Sequence, residues 1–212
     1  MKPETRPDDG FLYWAYILIY VDDILCVHHD PGAPLAKLDE YFKMKEGSIQ
    51  VPTFYLGAKL KKTVMPNGVI AWGMSSSKYV QSAVQNVREY LAALPGDRKL
   101  LKKASSPFAG GYRPKLDVSP ELDPVRENFY QSQIGILRWC VELVRIDIIT
   151  EVSLLSTYLC LPREGHLEDV FHVFAHLAHK HNARVVFDPT YPEIDMGAFI
   201  NTDCKSMYGD VK

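Results

Sequence analysis

The stretch YILIYVDDILCVHH, residues 16–29, decides how the first half of this 212-residue chain folds. It sets two adjacent carboxylates, Asp22 and Asp23, inside an apolar, β-branched run. Strands bury such runs, and a buried unpaired carboxylate is costly. "FLYWAYILIY" reads as a buried strand, "VDD" as a turn and "ILCVHH" as the returning strand of a hairpin. One reading makes the pair a polar turn, because aspartate bonds nearby backbone in turns. Against it, two-residue hairpin turns favour Asn-Gly or Asp-Gly, and Asp-Asp-Ile fits poorly. The other reading is a divalent-metal site. Adjacent carboxylates repel unless a cation neutralises them. Mg²⁺ prefers oxygen ligands and often takes one or two carboxylates plus substrate phosphates.

Working outward, residues 1–10 read as a loop or linker. After the break at "HDPGAP", "LAKLDEYF" places Leu35, Leu38 and Phe42 on one helical face. "FYLGAKLKK" (54–62) reads as a strand with Gly57 at a bulge or close backbone approach. "MPNG" (65–68) turns the chain into "VIAWG", a second hairpin. "SSSKYVQSAVQNVREYLAAL" opens with serine caps and carries apolar residues at helical spacing. Residues 95–125, rich in Pro, Gly, Lys and Asp, read as a linker. Helical stretches follow over roughly 125–145, 147–161 and 166–181, and "ARVVFD" resembles a short strand. A β-rich first half and a helical second half make the fold class α+β.

Composition sets the outer bounds. Hydrophobic residues make up 47% and charged residues 24%, enough apolar surface for one large or two small domains. The formal net charge of −2 gives no global basic signature, so any basic surface for nucleic acid must be local or lie on chain outside this sequence. Cys26, Cys140, Cys160 and Cys204 are far apart and form no C-x-x-C pair, which argues against a zinc knuckle or disulfide scaffold. A reducing, intracellular compartment fits that usage. The polar start "MKPETRPDDG" is unlike a signal peptide. The longest apolar run, residues 11–21, is too short to span a membrane.

"YVDDIL" resembles motif C of reverse transcriptases, in the form typical of copia-type retrotransposons. "YFKMKEGSIQVPTFYLGAKL" looks like that family's Phe-x-Met-Lys helix end leading into a Tyr/Phe-Leu-Gly strand. "YQSQIGILRWCVELVRIDIITEVSLLSTYLCLPREGHLEDVFHVFAHL" is similar to its Tyr-x-Ser-x-Ile-Gly-x-Leu, Arg-Pro-Asp-Ile and Pro-x-x-x-His succession. Arg145-Ile146-Asp147-Ile148 stands where the family has Arg-Pro-Asp-Ile. The likeness runs in order over roughly residues 10–190.

The resemblance implies a palm-type antiparallel sheet remnant over 1–94, the linker at 95–125, and a helical thumb and connection region over 126–190. Residues 191–212 would connect toward an absent RNase H domain. The implied activity is RNA-directed DNA synthesis by nucleotidyl transfer with two Mg²⁺ ions, Mn²⁺ being the alternative. Asp22 and Asp23 would be catalytic metal ligands, with Tyr20 and Val21 shaping the hairpin beneath the nucleic acid. Tyr55, Leu56, Gly57, Lys59 and Lys61 fall in the primer-grip region, and Lys45, beside Lys43, falls at motif D as a general acid. The family's third carboxylate lies on an upstream strand. Asp8 and Asp9 do not replace it, standing about eleven residues before Tyr20, roughly 35 Å of extended chain. The chain alone is therefore expected to be incomplete. Implied partners are primer–template nucleic acid, a dNTP, and the remaining segments of the same polyprotein, with no membrane. The implied location is the cytoplasm, within a virus-like particle of the parent element, or else the nucleus, and not a secreted one. A non-catalytic remnant with weak nucleic-acid binding and an unrelated interaction module stand as alternatives.

Two further patterns read structurally. Lys59, Lys61, Lys62, Arg98, Lys99, Lys102 and Lys103 form local basic clusters, either solvated faces or phosphate contacts. His172, His176 and His179 share one helical face opposite Val170, Phe174, Leu177 and Ala178, and read as its wet side rather than a zinc site.

Overall fold

The computed structural model describes residues 2–96 and 98–187, so the connector expected over 191–212 and Cys204 lie outside the described residues. The fold is α+β, with two antiparallel sheets and five α-helices among these residues. The first sheet orders β1 (Lys2–Thr5), β2 (Leu12–Tyr20) and β3 (Asp23–Val27) as β1-β2-β3. Helix α1 (Gly32–Tyr41) follows. The second sheet contains β4 (Phe54–Tyr55), β5 (Ala58–Val64) and β6 (Ile70–Ser75). Then come α2 (Ser77–Ala93), α3 (Pro124–Glu142), α4 (Ile149–Ser156) and α5 (Glu164–His179). Strand β7 (Val185–Phe187) returns beside β6 and closes the order β4-β5-β6-β7.

The N-terminal residues correct the loop expectation. Lys2–Thr5 pairs antiparallel with Leu12–Ala15, so the segment turns back onto β2. That pairing leaves Tyr16–Tyr20 bonded on one edge only, to β3. A second correction concerns burial. Ile17, Leu18 and Ile19 are 41, 44 and 60% exposed, although the run reads as a buried strand. Apolarity buries a strand only where another layer lies on its face, and α1 contributes no buried residue. The first sheet therefore presents an apolar surface among the described residues, of the kind that marks an interaction site.

The packed centre lies instead among the later helices. Val80, Val84, Val87 and Leu91 of α2 meet Tyr130, Ile134 and Leu137 of α3 and Val170, Phe174 and Leu177 of α5. Each such side chain contributes about 1.5–3 kcal/mol when fully buried. Asp123 caps α3, accepting from the N–H groups of Val125 and Arg126, and Pro124 occupies the first turn, where its missing N–H costs nothing. The serine cap expected at α2 is corrected. Ser76 holds the cap position, but its buried hydroxyl bonds to nothing.

Residues 98–123 are irregular apart from a short 3₁₀ turn at Pro114–Leu116 and an isolated bridge from Glu121 to Arg163. They lie on the helices, burying Ala104 and Leu122. Asp117 anchors this stretch to the start of α5. Its carboxylate accepts from the Tyr112 hydroxyl at 2.8 Å and the Ser119 N–H at 2.8 Å, while the Ser119 hydroxyl accepts from the Gly165 N–H at 2.9 Å. A Cβ on Gly165 would stand 1.9 Å from Asp117 Oδ2. Gly165→Ala should therefore cost about 1–3 kcal/mol through overpacking, although alanine is the better helix former by about 1 kcal/mol. Urea unfolding reads this, and an unchanged or higher midpoint would contradict it.

Candidate functional site

The hairpin tip is built from β2 and β3. Tyr20 pairs with Asp23, so the turn consists of Val21 and Asp22, and Asp23 is already the first strand residue. Val21 has φ +54°, a region that β-branched residues avoid. Hairpins with positive φ at the first turn position normally place glycine there. Holding valine in it costs on the order of 1–3 kcal/mol, strain that must be offset elsewhere. Asp22 and Asp23 are both exposed, with Cα atoms about 3.8 Å apart. The charge cost posed by the sequence is thus avoided, because the pair stands at the wet end of the ribbon.

One ring contact joins this tip to the helices, and its charge is felt on the second sheet. The Tyr20 ring lies 5.8 Å from the Trp139 ring of α3. On the second sheet, burial and then the negative charge of Asp23 push the Tyr55 hydroxyl above its usual pKa.

The Tyr55 neighbourhood differs from the bulged strand expected over 54–62. Tyr55 pairs with Ala58, and Leu56 and Gly57 form a two-residue turn with φ +51° and +87°. Both central residues have positive φ, as a type I′ hairpin requires. Gly57 supplies conformation rather than close approach, since a Cβ there would meet nothing within 4 Å. Beyond the turn, β5 alternates buried Ala58 and Leu60 with exposed Lys59 and Lys61. Those two lysines share a face, and Lys62 points the other way, its ammonium 5.3 Å from the Trp72 ring centre.

Lys43 and Lys45 are exposed on the irregular segment after α1, and neither forms an ion pair among the described residues. Asp9 is engaged locally. It accepts from Arg6 Nε at 2.9 Å and the Phe11 N–H at 3.1 Å, and the Arg6 guanidinium lowers its pKa to about 2. Among the described residues no group of three or more His, Cys, Asp or Glu side chains is placed to hold a metal ion. No helix among them is long and apolar enough to cross a membrane.

The histidine face of α5 is corrected. His176 is buried and faces Asp147 Oδ2 at 3.3 Å and the Ala104 carbonyl at 3.2 Å, and His172 faces the Ser106 carbonyl at 3.0 Å. The loop over residues 104–106 covers His172 and His176, while His179 stays exposed as the periodicity assigns it. Two further groups escape a periodic reading. Arg145, 1% exposed, donates from Nε and Nη2 to both oxygens of Asp147, at 2.8 and 2.6 Å. Asp169 is 3% exposed with an unpartnered Oδ2, and burial above all raises its pKa to about 7. The Arg-x-Asp spacing is a visible signal for the first. Nothing local marks the second, because α5 is buried around most of its circumference.

Comparison with known proteins gives a consistent likeness. The chain is 26% identical over 167 residues to a retrovirus-related Pol polyprotein from transposon RE1 of Arabidopsis thaliana, covering 77% of this chain and 10% of that protein. It is 29% identical over 166 residues to a putative transposon Ty5-1 protein of Saccharomyces cerevisiae, covering 76% and 48%. It is 28% identical over 170 residues to a retrovirus-related Pol polyprotein from transposon TNT 1-94 of Nicotiana tabacum, covering 76% and 12%. The chain resembles Pol polyproteins of copia-type retrotransposons and spans less than half the length of each of these relatives. No protein-family model matches it, and no solved structure matches it.

Proposed function

We propose that this chain is the hairpin-bearing part of a retrotransposon reverse transcriptase, acting in RNA-directed DNA synthesis within a larger polyprotein. The observation that carries the reading is the exposed Asp22–Asp23 pair at the tip of a hairpin whose two-residue turn is strained at Val21. The donor set fits part of a Mg²⁺ or Mn²⁺ site, with oxygen ligands only and two carboxylates, leaving room for phosphate oxygens. When bound, the metal would supply activation of a primer 3′-hydroxyl and neutralisation of the departing pyrophosphate.

The chain's own residues would do the positioning. Tyr20, held against Trp139, fixes the height of the tip. The Leu56–Gly57 turn would present backbone to the primer strand, and the shared face of Lys59 and Lys61 would meet phosphates. Lys45 would hold the proton for the leaving group. The exposed apolar sheet fits covering by other segments of the polyprotein, in the cytoplasmic particle of the parent element or in the nucleus.

Paramagnetic broadening by Mn²⁺ in the amide spectrum of the full chain tests the metal site. Signals of Val21–Ile24 and Tyr55–Leu56 should broaden first, and Asp22→Asn with Asp23→Asn should abolish the effect. Broadening centred elsewhere would remove the basis of the reading. Primer extension by this chain alone with Mg²⁺ should give no incorporation, because no third carboxylate joins the pair among the described residues. Salt-dependent primer–template binding separates the polymerase reading from an unrelated interaction module, which should show none.

A further inference from the structure

A recess of about 490 Å³ opens between the last turn of α2, residues 98–101, residues 109–112 and the first half of α5. None of its lining residues belongs to either hairpin. Leu91, Leu100 and Phe171 give it an apolar wall. Leu91 and Phe171 are themselves buried in the helical core, so that wall is fixed. Asp169 also lines the recess, and its Oδ2 has no partner among the described residues. The Ala109 backbone hydrogen-bonds the carboxyl, which leaves Oδ2 as the free acceptor. Buried carboxylates are normally paired, and an unpaired one costs stability that a ligand would restore.

The other polar side chains of the recess are engaged. Arg98 donates to both oxygens of Glu168, at 2.6 Å each, and lies over the Phe171 ring, 5.5 Å from its centre. The Tyr112 hydroxyl donates to Asp117 at 2.8 Å, and His172 Nε2 faces the Ser106 carbonyl at 3.0 Å. Lys99 has an interaction of its own. The charge that acts on Asp169 is that of Glu151, a second carboxylate, and not that of a cation. The complement of this site is therefore a positively charged donor, which forms a stronger hydrogen bond to a carboxylate than a neutral donor does. Apolar walls around one placed polar group, within a few hundred cubic ångströms, suit a small organic ligand.

We propose that this recess binds a small primary amine, its ammonium on Asp169 Oδ2 and its apolar body against Leu91, Leu100 and Phe171. The inference stands independently of the metal-site reading, since the two sites share no residue. An amide-spectrum titration of the full chain with 2-phenylethylamine tests it, with 2-phenylethanol as the uncharged control. At about pH 8 the Asp169 carboxyl is mostly ionised and the amine keeps its proton. Shifts should gather at Ala109, Tyr112, Asp169 and His172 and saturate, and the alcohol should bind about tenfold more weakly. Asp169→Asn keeps the shape and removes the charge. It should weaken the amine about tenfold and leave the alcohol nearly unchanged. Because asparagine relieves a buried charge, that loss would not come from unfolding. Urea unfolding gives a second readout: the amine should raise the midpoint of the parent and leave that of the variant where it was. Amine shifts centred outside the recess, matched by the alcohol, or surviving Asp169→Asn overturn the proposal.

Discussion

Asp169→Asn should make the protein more stable at neutral pH and flatten its stability against pH. Asp169 is 3% exposed on α5, and Oδ2 has no partner. Burial raises its pKa from 3.8 to about 7, the charge of Glu151 adds to the rise, and a hydrogen bond to the Ala109 backbone opposes it. An acid whose folded pKa exceeds its unfolded value favours the folded state when protonated. The penalty is absent below about pH 4, grows through pH 7 and stays constant above, amounting to about 2–4 kcal/mol. Asparagine has the shape of the protonated acid and never ionises. The difference between variant and parent, read by urea unfolding at several pH values, should therefore rise across that window. Parallel curves would show that the buried carboxyl does not titrate there.

Asp147 acts in the opposite sense. Burial pushes its pKa up, but the Arg145 guanidinium and His176 outweigh that and hold it below the usual carboxylate range. Its contribution is complete above the ordinary pKa and is lost as pH falls through the folded value. The parent should accordingly lose stability on the acid side through Asp147 and on the neutral side through Asp169.

Local pattern carried much of the fold. The apolar spacing of Val80, Val84, Val87 and Leu91 marks α2, and the "MPNG" turn marks the β5–β6 hairpin; both lie where the sequence sets them. Leu56–Gly57 is ambiguous in sequence because a glycine inside an apolar run signals either a bulge or a turn. Pairing of Tyr55 with Ala58 decides it, and pairing is not a property of one strand. Burial of β2 failed for a related reason. Hydrophobicity states what a strand prefers, while the face of Ile17–Ile19 depends on a layer that the described residues do not supply. Periodicity assigns His176 to solvent, but a loop distant in sequence covers it. At the site, adjacency alone makes Asp22 and Asp23 legible. The approach of Tyr20 to Trp139 comes from tertiary placement.

Arg145→Met should destabilise the chain by about 1.5–3 kcal/mol, because it removes two hydrogen bonds to the Asp147 carboxylate, itself 38% exposed. Arg145 sits in the turn between α3 and α4, where Val144 takes φ +72° to reverse the chain. Its backbone N–H bonds to the Cys140 carbonyl at 3.0 Å, and its side chain runs inward to grip Asp147 by two parallel hydrogen bonds. Asp147 continues to His176 on α5, and His176 to the Ala104 carbonyl. One guanidinium thus fixes the α3–α4 reversal, the middle of α5 and the loop across them. Lysine keeps the charge but not the planar fork, so Arg145→Lys should recover only part of the loss. A buried Nη1 without a partner shows that the arrangement is not optimal even in the parent. Replacing both partners, Arg145→Met with Asp147→Leu, should therefore cost less than Arg145→Met alone, since no charge remains stranded. A double variant at least as unstable as the sum of its parts would mean that the pair is not coupled, and that Arg145 contributes by packing alone.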